Sequence, residues 1–176
     1  MLWAIGRFLL LPFVAYERFL VAIARYRVIE GFRVGVLVEE GAEQVWDNVA
    51  RGLALIRSVD GNQFARMRRG FRRILVYGSS TGAHFYPWSS TCVLDEAMVR
   101  EDSEVVVASY LVHEAMHAYV DKFWASPRKR LRVEVLCTKA EIAFTSKLRT
   151  TDYTKLQEYL DYLRERLREA ENLVRR

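Results

Sequence analysis

Residues 105–120 read VVVASYLVHEAMHAYV, an apolar run that carries two histidines and a glutamate as HEAMH: His113, Glu114 and His117. Val105, Ser109, Val112, Met116 and Val120 recur at spacings of three to four, which is the period of one helix face. On such a helix, residues i and i+4 stand one above the other, so His113 and His117 point to the same side and can share one ion. The chain has three histidines in all, and two of them sit on this turn. A helix this apolar is expected to be buried, and buried imidazoles need partners. Imidazole nitrogen is a good donor to zinc. Glu114, about a quarter turn round from His113, is placed to touch a water on the ion without binding the ion, as a general base does.

The segments around this helix set the fold class. Arg33–Val38 (RVGVLV) reads as a short strand, and 39–59 as a helix with Val45, Val49, Leu53 and Ile56 on one apolar face. Asp60-Gly61-Asn62 ends that helix, and a short basic helix over Phe64–Gly70 follows. Arg73–Tyr77 (RILVY), Ala83–Trp88 (AHFYPW) and Thr91–Leu94 (TCVL) are β-like runs separated by turn residues, which predicts a small meander with the Pro87 run at an edge. Beyond Glu101 the chain reads as helical. Asp102 or Ser103 caps the HEAMH helix, Ser126-Pro127 opens the next, which runs to about Leu148, and Thr150-Thr151-Asp152 caps the last. The expected class is α+β, with a small β-meander packed on helices.

Composition narrows the function classes. At 176 residues the chain is long enough for one domain with a true core. A 51% hydrophobic and 28% charged composition is that of a folded globular protein. The net charge of +5 permits acidic partners, but the arginine clusters at 66–73 and 127–132 come with no nucleic-acid motif and read as solvated faces, so nucleic acid is not an expected partner. Two cysteines, Cys92 and Cys137, are too few for a secreted disulfide framework and fit a reducing, cytoplasmic compartment, each read as a small buried residue. In residues 1–30 charged Arg7, Glu17, Arg18 and Arg25 interrupt every apolar run short of a membrane span, leaving an amphipathic helical segment that packs on the domain or, through residues 1–28, touches a membrane surface. In residues 151–176 Tyr153, Leu156, Leu160, Leu163, Leu167, Ala170 and Val174 form a heptad seam, which either docks on the domain or pairs with another copy through residues 153–174. The body between, 31–150, carries the chemistry.

HExxH on a helix, after a small β-meander and before a second helix carrying an acidic residue, resembles the zincin metallopeptidases of the gluzincin type, over roughly residues 72–148. The extended metzincin form is absent, because AYVDKFWASP after His117 holds no further histidine and His84 lies upstream. The resemblance implies a zinc metallopeptidase that hydrolyses a peptide or protein substrate, with Zn2+ on His113, His117 and an acid from the following helix, and Glu114 as general base. Glu134 and Glu141, seven residues apart and so on one helix face, both qualify. In RVEVLCTKAEIAF, Glu134 followed a turn later by small or polar residues is the better match for the third ligand, which leaves Glu141 to orient a histidine. The resemblance also implies that TCVLDEAMV is a sheet edge able to pair with an extended peptide, and it leaves Tyr86, Tyr110, Tyr119 and His84 as candidates for stabilising an oxyanion. The alternatives are a non-catalytic zinc-binding module of zincin fold and a membrane-peripheral interaction module.

Overall fold

A computed structural model describes residues 2–38, 40–79, 82–120, 127–148 and 153–175, and side chains from residue 12 onward apart from 127, 128 and 153. Helix α1 (Leu2–Ile23) leads into strand β1 (Arg25–Ile29) and strand β2 (Phe32–Val36). Reading residues 1–30 as helical throughout therefore fails at Arg25. Glu30 (φ 50°) and Gly31 (φ 80°) both adopt the left-handed region, the signature of a two-residue type I′ turn, and close a β1–β2 hairpin in register from Arg25↔Val36 to Ile29↔Phe32. Gly35 is required inside this hairpin, because a Cβ there would lie 2.6 Å from the ring of Tyr26 across the ladder.

Helix α2 (Ala42–Val59) buries Val45, Val49, Leu53 and Ile56 completely, as its spacing predicts. Asp60 then does two jobs. It ends α2, and its carboxylate accepts the backbone N–H of Gln63 at 2.9 Å, which caps helix α3 (Gly61–Gly70) three residues earlier than the sequence suggested.

Strands β3 (Arg73–Tyr77), β4 (Ala83–Tyr86) and β5 (Thr91–Asp95) complete a five-stranded mixed sheet of order β1-β2-β3-β5-β4. This replaces the expected meander: β2, β3 and β5 run parallel, and β1 and β4 are antiparallel edges. The expected peptide-pairing edge also moves. TCVLDEAMV is not an edge, since β5 is buried between β3 and β4 and the chain then turns into the short helix α4 (Glu96–Glu101). Asp95 forces that turn by accepting the N–H groups of Ala97 and Met98 at 3.0 and 3.3 Å. The free edge on this side is β4.

Both sheet faces are covered. Ile74, Val76, Cys92 and Leu94 point into the main core with α2, α3 and helix α5 (Glu104–Val120). Leu75, Tyr77 and Val93, the alternate positions, pack beneath Leu20 of α1. No described helix is long and apolar enough to cross a membrane. The α5 helix lies between α2 and helix α6 (Pro127–Thr145), with β4 and β5 alongside, and helix α7 (Tyr153–Arg175) packs on α6. The first half of the heptad seam, Leu156, Leu160 and Leu163, is buried within the chain, whereas Leu167, Ala170 and Val174 are only partly covered. The capping residues expected at Ser126 and at 150–152 lie outside the described residues.

Candidate functional site

The α5 helix carries HEAMH through the centre of the molecule, and the neighbouring α6 turns Glu134 towards it. His113 Nε2 lies 3.5 Å from Glu134 Oε2, and His117 Nε2 lies 3.3 Å from Glu134 Oε1. Both imidazoles therefore present the same nitrogen to one carboxylate, their ring centroids 5.1 Å apart. Among the described residues the donors that lie within 4.8 Å of one another are on His113, His117 and Cys137, and the two Glu134 spacings, each to a different oxygen, compare with about 3.4 Å between donors bound at about 2.1 Å to one tetrahedral ion. Both Glu134 spacings are longer than the 2.7–3.2 Å typical of an N–H···O hydrogen bond.

Glu141, two turns further along α6, stands on the other side of His113. Its carboxylate is wholly buried, and Oε2 accepts from His113 Nδ1 at 3.0 Å. Oε1 accepts from Ser109 Oγ at 2.8 Å and from the Tyr159 hydroxyl at 3.0 Å. In the neutral imidazole, donation of Nδ1–H to Glu141 leaves the lone pair on Nε2, the nitrogen that faces Glu134. Ser109, read from sequence as one position of a packing stripe, thus belongs to the support of this histidine.

Glu114 is 3% exposed, and its Oε2 is a buried oxygen with no hydrogen-bond partner among the described residues. It shares a cleft with His113, His117 and Glu134. An orphaned carboxylate oxygen inside a polar cleft is where a water would be bound, and the donor set together with this oxygen fits a zinc ion and its water.

The electrostatics follow from crowding three carboxylates and two imidazoles. Burial pulls the His113 pKa down, but its partners Glu134 and Glu141 outweigh that and, with the field of Glu114, raise it to about 9. Burial pushes Glu114 up to about 7, against the opposing pull of His113 and His117. The two histidines hold Glu134 well below the usual carboxylate range, against its own burial.

The cleft has a volume of about 350 Å³. Gly82, Ala83, His84 and Phe85 of the β4 edge form one side, and Tyr110 of α5, with Tyr162 and Arg166 of α7, form another. Of the four oxyanion candidates, Tyr110 and His84 line it. Tyr86 stacks on Trp88 with centroids 4.8 Å apart, and Tyr119 is 71% exposed beneath the Arg66 guanidinium. Burial raises the Tyr110 pKa, with Tyr162 and Glu141 adding to the effect, so its hydroxyl stays a donor at neutral pH. A larger hollow of about 780 Å³ lies between α5 and α7, lined by residues such as Arg51, Glu104 and Lys155, but it holds none of the histidine chemistry.

Two residues of the cleft escaped the sequence reading. Tyr162 and Arg166 are four apart on α7, and that i, i+4 pairing beside the buried Leu163 was the available signal. Cys137, read from the sequence as a small buried residue, is fully buried on α6. Its Sγ and ring nitrogens of His113 and His117 lie within 4.8 Å of one another, so the thiol, one turn beyond Glu134, borders the same site. No family model, curated protein or solved structure matches this chain.

Proposed function

We propose that the protein is a zinc-dependent peptidase with a minimal zincin-like domain. The observation that carries this reading is the convergence of His113 Nε2 and His117 Nε2 on the Glu134 carboxylate at 3.5 and 3.3 Å. His113, His117 and Glu134 would hold the ion, and Glu141 would keep His113 in the tautomer that binds through Nε2. A zinc ion there supplies a Lewis acid for a peptide carbonyl and lowers the pKa of a water towards neutrality. Glu114, whose Oε2 is buried in the cleft with no partner among the described residues, would take the proton from the attacking water and return it to the leaving amine. Tyr110 donates its hydroxyl towards the carbonyl oxygen, and the β4 edge aligns an extended substrate through unpaired backbone groups.

The test is metal analysis of the purified full chain together with hydrolysis of a broad peptide library. One zinc per chain and cleavage that disappears in E114Q with the zinc retained are expected. Absence of stoichiometric metal rules the reading out.

A second reading has one observation in its favour. If Cys137 Sγ joins the histidines and Glu134, four protein ligands close the ion off, as in structural zinc sites. Cobalt substitution separates the two, because a thiolate ligand gives an intense sulfur-to-metal charge-transfer band that a C137S variant abolishes and the peptidase reading lacks.

A further inference from the structure

The cleft beside the histidines is acidic except at one point. Glu114 and Glu134 line it beside the two histidines, and Arg166 from α7 is the one arginine or lysine among its described lining residues. The Arg166 side chain is 33% exposed, and its one ion pair among the described residues is Nη1 to Glu141 Oε2 at 3.8 Å, beyond hydrogen-bond range. Glu141 has little left to offer, since its two oxygens already accept from His113, Ser109 and Tyr159. Its charge therefore holds the guanidinium at the cleft wall while leaving the planar fork of donors unengaged.

We propose that Arg166 binds a carboxylate of the substrate, and that this carboxylate is the free C-terminus of a short peptide; the proposal rests on the peptidase reading above. A guanidinium fork matches a carboxylate with two parallel hydrogen bonds, a geometry that no neutral carbonyl supplies. At about 350 Å³ the cleft is at the small end of ordinary ligand sites, and α7 forms one of its walls. A chain lying along β4 fills that space within a short segment, so it meets Arg166 near its end. The helix whose heptad seam the sequence reads as either docking or pairing thus becomes the element that selects chain ends over chain interiors.

The experiment uses the zinc-loaded full chain and three probes: a leucine-like succinyl hydroxamate coupled to alanine with a free carboxylate, the same compound as its carboxamide, and a carboxamide with glutamate in place of alanine. Titration calorimetry is expected to show the free acid binding at least about tenfold more tightly than the alanine carboxamide. R166Q is expected to reduce the acid to the affinity of the carboxamide while zinc content and carboxamide binding stay unchanged, and R166K to keep part of the preference. Equal binding of acid and carboxamide by the native chain, or a preference that survives in R166Q, overturns the proposal. A glutamate carboxamide that matches the free acid and weakens in R166Q overturns the assignment to the chain terminus. A chain that takes up no zinc, or binds none of the hydroxamates, fails the peptidase reading itself and the proposal with it.

Discussion

His113 Nδ1 and Glu141 Oε2 are 3.0 Å apart in the interior, with the imidazole 4% and the carboxylate 0% exposed. This contact assigns different work to the two glutamates of α6. Glu141 accepts on both oxygens, from His113, Ser109 and Tyr159, whereas Glu134, at 41% side-chain exposure, faces two Nε2 atoms and the cleft.

Metal binding should therefore respond unequally to the two residues. E134Q removes a ligand and is expected to lose zinc to a mild chelator. E141Q leaves the ligands in place but loosens the orientation of His113, for an expected 10–100-fold weaker affinity. Competition with a chromophoric chelator measures both, and a larger loss in E141Q than in E134Q would reverse the assignment.

Zinc uptake should also release protons. His113 has its folded pKa raised from 6.5 to about 9, so the metal-free protein holds it protonated at neutral pH. That raised value means its contribution to metal-free stability is complete below pH 6.5 and is lost as the pH rises through about 9. The ion must displace this proton, so apparent affinity is expected to rise about tenfold per pH unit up to roughly pH 9. Calorimetry in buffers of different ionisation enthalpy counts the protons, and a release near zero at pH 7 would contradict the coupling.

Glu114 makes a prediction about stability as well as turnover. Its folded pKa of about 7 lies above the ordinary 4.5, so its contribution is present below pH 4.5 and is lost as the pH rises through 7. At pH 8 the metal-free protein carries a buried carboxylate with an unpartnered oxygen, a cost of about 3 kcal/mol. E114Q should thus gain stability over the native chain between pH 5 and 8 in urea denaturation with chelator present, while zinc-dependent turnover falls about 10²–10⁴-fold. A stability difference that stays constant across that range sinks the argument.

The candidate site was legible where the chemistry follows helical period. HEAMH, with Glu134 and Glu141 seven residues apart, lies on two helices, and a period of 3.6 states which residues share a face without any knowledge of tertiary structure. Strand order carries no such local signal. The β3, β4 and β5 runs were visible in RILVY, AHFYPW and TCVL, but nothing in those residues says that β5 enters between β3 and β4. The β1 strand was hidden for a different reason: Arg25, Tyr26 and Arg27 continue an amphipathic pattern out of α1, and the hairpin turns at Glu30-Gly31 rather than at the more familiar Asn-Gly. Arg166 and Tyr162 reach the site only through the packing of α7 on α6, which their spacing along α7 does not reveal.

The last prediction concerns Glu17, which is 2% exposed on α1 and accepts hydrogen bonds from Trp88 Nε1 and Ser89 Oγ in the turn between β4 and β5. A charged residue at a buried helix position is costly unless it is partnered, and here the partners come from 71 and 72 residues away. Glu17 therefore pins α1 to the sheet face where Leu20 covers Leu75, Tyr77 and Val93. E17A leaves the indole N–H and the serine hydroxyl behind, and hydrogen bonds to a charged group are worth about 1.5–3 kcal/mol each, so a loss of about 3 kcal/mol in chemical denaturation is expected. The detached helix should then be cut by trypsin at the exposed Arg18 well before the rest of the chain. Zinc affinity should not move, because α5 packs on the opposite face of the sheet. An E17A chain that unfolds at the native midpoint and resists trypsin equally would show that α1 is held by Leu20 and its neighbours alone.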